Sequence, residues 1–237
     1  MEITDVPLDT ADGPMRLYSC VPEGGAARAV IVIQEAGGVT DYIEDVTRRF
    51  ADVGYHAVAP ALFHRSGGGT AAYGDFEKVA QLFEGLTDAG IVMDVGAAVA
   101  HLHEQGFADE SIGIVGFCLG GRVTFLASLE FALGAAVGFY GGGIVSPRFP
   151  RLPPLLERGG ELKTPWLGLF GDLDAVIPVE DVETLRTRLA ELDVPTEVLR
   201  YTTAEHGFHS EARASFNAEA ATDAWARTLA WLAKHLV

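Results

Sequence analysis

The chain has 237 residues, with 17 Lys plus Arg against 33 Asp plus Glu and a formal net charge of −16 at pH 7. A field of that sign opposes nucleic acid and anionic membrane surfaces, which recruit basic residues, and no uninterrupted apolar run approaches the ~18 residues a bilayer crossing needs. Two cysteines, Cys20 and Cys118, and an N-terminus with neither the basic start nor the apolar core of a signal peptide, predict free thiols in the cytoplasm.

In chain order, a hairpin is expected up to Val21, followed by strands over residues 30–34, 56–59, 112–115, 135–140, 166–170 and 197–201. Apolar periodicity predicts helices over residues 42–53, 92–104, 122–129, 179–192 and 218–236, and a small helix over 76–83. Strand and helix alternate, which implies an α/β fold: a mostly parallel central sheet of about eight strands with helices on both faces. There is no linker long enough to divide residues 1–237 into two domains and no room for a separate lid domain. The glycine-rich loop at 66–70 and the irregular stretch 141–154 are placed to border a pocket, and neither has the spacing of a phosphate-binding loop.

The segment Gly116-Phe117-Cys118-Leu119-Gly120-Gly121 joins a predicted strand to a predicted helix. Small residues two before and two after Cys118 suit a sharp turn, and the helix N-terminus favours an anionic sulfur there. This is the pattern of a nucleophile elbow with sulfur in place of oxygen. An acidic turn, Gly171-Asp172-Leu173-Asp174, and a histidine turn, Glu205-His206-Gly207-Phe208, each follow a later strand. The order nucleophile, acid, histidine is that of the α/β-hydrolases, and loops leaving the carboxyl ends of parallel strands converge on one edge. Cys118, His206 and Asp174 are the expected triad. Asp172 is the expected turn-former, and His209, beside a charged stretch, the expected surface histidine. His101 and His103, two apart on a helix, lack metal-ligand spacing, and neither a metal nor a cofactor is expected.

Residues 30–35, 57–63, 116–121, 138–141, 171–178 and 206–208 together resemble the dienelactone hydrolase family, the carboxymethylenebutenolidase-like branch of the α/β-hydrolases, with the elbow and the Gln34-Glu35 pair most specific in combination. The resemblance implies hydrolysis of an activated ester or lactone through a thioester on Cys118. It gives Glu35 the role of accepting a hydrogen bond from a resting, neutral thiol, a pairing that would raise the thiol pKa. The backbone N–H groups of Leu119 and Ala36 would form the oxyanion hole. Tyr140, Gly37, Phe63 and Phe208 would line the substrate pocket.

In two places the chain departs from the resembled pattern. That family clamps a substrate carboxylate with arginines before the elbow and just after the histidine; here no arginine lies between Arg65 and Arg122, and position 210 is Ser210. Ala36-Gly37-Gly38 is also less bulky than usual. The missing clamp argues against an anionic dienelactone as the substrate, and Ala36-Gly37-Gly38 implies a widened or reshaped pocket; Arg65, Lys78 and Arg213 are expected as surface charges, with a shifted anion site built from them as the alternative. A small-molecule ester or lactone is the expected partner, and a monomer or small homo-oligomer the expected state. Acyl transfer or thioester hydrolysis by the same triad, and a silent ligand-binding homologue, are the alternatives.

Overall fold

Eight strands, β1 (Glu2–Thr10), β2 (Gly13–Val21), β3 (Ala29–Ile33), β4 (His56–Pro60), β5 (Ile112–Phe117), β6 (Ala135–Phe139), β7 (Trp166–Gly171) and β8 (Thr196–Tyr201), form one sheet in the computed structural model, which describes all residues from Met1 to Val237. Their order is β1-β2-β4-β3-β5-β6-β7-β8. The first two strands pair antiparallel with each other, β2 pairs antiparallel with β4, and β3 to β8 run parallel. Strands β3 to β7 are buried at every position, which explains why they read as continuous apolar runs: a parallel sheet is covered on both faces. The edge strand β1 is largely exposed, with inward burial alternating along its second half.

The covering layers are α1 (Asp41–Asp52), α3 (Asp88–Glu104), α4 (Leu119–Glu130), α5 (Val179–Leu189) and α6 (Ala218–His235), with the short α2 (Phe76–Leu82) lying over the carboxyl edge. Phe50 of α1 packs against Trp225 of α6 on one face, with ring centroids 4.6 Å apart, while α3 and α4 share the other. Helix α3 begins before its apolar periodicity does, because the Thr87 hydroxyl accepts the Gly90 N–H at 3.1 Å and caps a first turn that has no apolar stripe. No helix is long and apolar enough to cross a membrane.

The chain leaves β3 toward β4 on one side and returns past β3 to β5 on the other. This reversal of strand order opens a crevice at the carboxyl ends of β3 and β5, the place where open α/β sheets bind ligands. Glu35 and Ala36 follow β3, and Cys118 follows β5.

Candidate active site

At the end of β5 the backbone turns sharply, and Cys118 takes φ 55° and ψ −109°, a conformation costly to any residue with a Cβ. The turn is held because the Cys118 N–H donates to Phe139 O at 3.0 Å and its carbonyl accepts the Gly121 N–H at 3.0 Å. A Cβ on Gly116 would meet Gly120 O at 2.2 Å, and one on Gly120 would meet Ile33 O at 2.4 Å. Strand, helix and the neighbouring β3 therefore approach too closely for any side chain at those two positions. Leu119 opens α4, so its N–H has no helical acceptor; the Ala36 N–H likewise makes no backbone hydrogen bond.

Asp174 and His206 arrive from the ends of β7 and β8. The His206 Nδ1–H donates to Asp174 Oδ2 at 2.7 Å. Asp174 Oδ1 is occupied separately, accepting the N–H groups of Val176 and Ile177 at 2.8 and 3.2 Å. Asp172 has no such position: Arg200 grips both its oxygens at 2.6 and 2.7 Å.

Burial alone would lower the His206 pKa, but the adjacent Cys118 sulfur and the Asp174 hydrogen bond overcome it and raise the imidazole to about 10. Burial would raise the Cys118 thiol, but the His206 charge outweighs it and the thiol is lowered, with Arg148 adding to the effect. His206 Nε2 has no aligned hydrogen-bond partner, so charge, more than hydrogen bonding, couples the pair. The arrangement favours a thiolate beside an imidazolium.

Glu35 stands at the site with a partner other than the expected one. Its Oε2 pairs with the Arg213 guanidinium at 2.9 Å, and its buried Oε1 has no partner, so the thiol-to-Glu35 hydrogen bond is not formed. Arg213 is correspondingly not a surface charge: it is largely buried, and its guanidinium also lies 4.5 Å from the centre of the Tyr73 ring. The physical reason is that a buried carboxylate needs a cation more than it needs a weak S–H donor. Burial raises the Glu35 pKa despite Arg213. Arg65 is elsewhere, bidentate to the fully buried Asp94.

His209 is also a correction. It is buried, and the Tyr42 hydroxyl donates to its Nδ1 at 2.7 Å. Burial, with the charge of Arg49, pushes its pKa down to about 4, which keeps it neutral and able to accept.

A cleft of about 1120 Å³ opens over Cys118, His206 and Glu35. Gly37 lines it; Tyr140, Phe63 and Phe208 do not. Tyr140 and Phe208 are fully buried behind His206, their rings 5.3 Å apart, and Phe63 packs under Phe83 at 5.5 Å. Being near the ends of strands, all three fill the layer beneath the cleft instead of facing it. The walls come from residues that strand-end reasoning passes over: Tyr42, Tyr73, Phe76, Phe83, Arg148 and Phe149. The one available signal was that two long irregular stretches flank the predicted site. Both the 66–70 loop, through Thr70, and the 141–154 stretch, through Arg148 and Phe149, do reach the cleft. No cluster of three His, Cys, Asp or Glu side chains is arranged to hold a metal ion.

The sequence model described as the Dienelactone hydrolase family matches residues 15–236. Two similar curated proteins, each named "Putative carboxymethylenebutenolidase", come from Methylorubrum extorquens, at 35% identity over 98% of this chain and 80% of the relative, and from Salmonella typhimurium, at 35% identity over 98% of this chain and 87% of the relative. The crystal structure described as "Putative Dienelactone Hydrolase from Klebsiella pneumoniae subsp. pneumoniae MGH 78578" superimposes with a TM-score of 0.87 at 33% identity, covering 98% of each chain.

Proposed function

The chain belongs to the dienelactone hydrolase family and is an ester or lactone hydrolase, and from that premise we propose that it works through Cys118, His206 and Asp174 by way of a thioester. The observation that carries the reading is the 2.7 Å Asp174–His206 hydrogen bond, on an imidazole close enough to the sulfur of a positive-φ elbow for each to shift the other's titration.

The Cys118 thiolate adds to the substrate carbonyl carbon, and the N–H groups of Leu119 and Ala36 receive the oxyanion, each such donor contributing about 3 kcal/mol. The tetrahedral intermediate collapses, the C–O bond breaks, and the leaving oxygen takes the Nε2 proton of the His206 imidazolium. The neutral imidazole then removes a proton from water, the hydroxide adds to the thioester carbonyl, and the C–S bond breaks to return the thiolate. Asp174 holds Nδ1–H throughout and thereby keeps Nε2 toward the reacting atoms. A thiolate expels an enolate or an activated alkoxide more readily than an amine, so activated esters and lactones are the substrate class, consistent with the carboxymethylenebutenolidase name of the similar proteins.

Rapid acid quench during turnover of an activated aryl ester, followed by intact-mass measurement, tests this. An adduct of acyl mass on the Cys118 peptide is expected, absent from Cys118→Ala. Wild-type activity retained in Cys118→Ala would overturn the reading.

A further inference from the structure

Resting on that hydrolytic reading of Cys118, we infer that the cleft selects esters carrying an aromatic-sized apolar group, seated on the wall formed by α2 and Phe149. The two most exposed aromatic side chains of the molecule, Phe76 at 82% and Tyr73 at 80%, both stand at this cleft. Arg213 lies over the Tyr73 ring, yet both rings remain open to solvent, and two exposed aromatic rings lining the cleft that holds Cys118 point to a ligand that covers them. Behind Phe76 the wall continues through Val79 and Phe83, and Phe149 from the opposite loop stacks on Phe83 at 5.5 Å with 28° between the ring planes.

The wall is preformed. Asp75 caps α2 by accepting the Lys78 N–H at 3.0 Å. The loop bearing Phe149 is tied down by the fully buried Arg122, which donates to Pro153 O at 2.6 Å and Gly143 O at 3.3 Å and pairs bidentately with Asp88. A monocyclic lactone of about ten non-hydrogen atoms, at no more than about 30 Å³ each, displaces under about 300 Å³. The cleft holds about 1120 Å³, so such a substrate fills about a quarter of it and leaves volume for an added bicyclic aryl group.

The test compares vinyl acetate with vinyl 2-naphthoate and 2-naphthyl acetate, which carry the bulk on the acyl and the alcohol side. Phe76→Ser, at a side chain 82% exposed, and Phe149→Ala are expected to lower the ratio of kcat/KM for at least one naphthyl ester to that for vinyl acetate about tenfold, a typical loss for an apolar subsite. Equal effects on all three esters, or none, overturn the inference. So does a change in sedimentation behaviour of Phe76→Ser with unchanged ester ratios, which would assign the patch to a second copy of the chain. Cys118-dependent hydrolysis of vinyl acetate by the wild type is the separate control: if it is absent for every ester, the hydrolytic reading itself fails, and if it is present without discrimination, only the apolar subsite does.

Discussion

Glu35 and Arg213 meet at 2.9 Å at the rim of the cleft, both largely shielded from solvent, one from the turn after β3 and the other from beyond the histidine loop. The pair places one negative and one positive charge beside Cys118, and the two act on the sulfur in opposite directions. Glu35 raises the thiol pKa, whereas burial works against the charge of Arg213 and Glu35, aided by the sulfur, holds it charged.

Replacing Glu35 with Gln therefore removes the group that opposes thiolate formation and frees the Arg213 guanidinium. The pH profile of alkylation by iodoacetamide is expected to move to lower pH, with a severalfold faster rate at pH 6. An unmoved profile would show that Glu35 does not act on the sulfur.

Arg213→Met leaves the Glu35 carboxylate buried without a cation, at a cost of about 3 kcal/mol at neutral pH. The Glu35 pKa is already above its ordinary 4.5, because burial outweighs Arg213, and the variant raises it further. A carboxyl raised in the folded state holds its proton more tightly there than in the unfolded chain. Its contribution is thus fully present below 4.5 and is lost as pH rises through the raised value. Urea denaturation at pH 4.5 and pH 8 should show the variant's deficit growing with pH.

In Cys118→Ala the charge that holds the His206 imidazolium disappears, and the pKa of about 10 is expected to fall toward the ordinary histidine value. Because the wild-type value is raised, the stabilisation from charged His206 is complete below 6.5 and lost as pH climbs through 10. NMR titration of the His206 ring gives the shift directly. A ring that titrates identically in both proteins would mean that sulfur and imidazole do not share a charge.

Asp174→Asn is expected to lower kcat by roughly a thousandfold or more with little loss of stability. Oδ1 is fixed by the Val176 and Ile177 N–H groups, so the new amide NH₂ must occupy the Oδ2 position and donate to Nδ1. That forces the proton onto Nε2, where it can no longer accept from water. Steady-state kinetics paired with thermal denaturation separate this outcome from a folding defect.

Gly120→Ala would put a methyl group at 2.4 Å from Ile33 O. The elbow cannot shift without breaking the Cys118 N–H bond to Phe139 O, so a loss of about 3 kcal/mol is expected, together with most of the activity. Denaturant unfolding of Gly120→Ala beside wild type measures it.

Local signals in the chain determined much of this molecule. Continuous apolar runs such as 29–33 and 112–115 mark strands buried on both faces, and glycines at 116 and 120 mark a turn where backbones touch, because these constraints act between near neighbours and leave their trace in residue type. The order of Cys118, Asp174 and His206 was legible for a topological reason: every loop leaving a parallel strand exits on the same edge. What covers that edge was not legible. Whether Glu35 pairs with a thiol or with Arg213, whether His209 is wet or bonded to Tyr42, and which aromatic rings face the cleft depend on long loops meeting across 100 residues or more, from Glu35 to Arg213 and from Tyr42 to His209. No periodicity records such meetings. A histidine next to Glu211 reads as solvated until α1 and α6 close over it, and Phe63, Tyr140 and Phe208 read as pocket residues until the packing of the layer below claims them. Tertiary structure decided those assignments because burial and charge pairing are properties of the assembled surfaces and belong to no single segment.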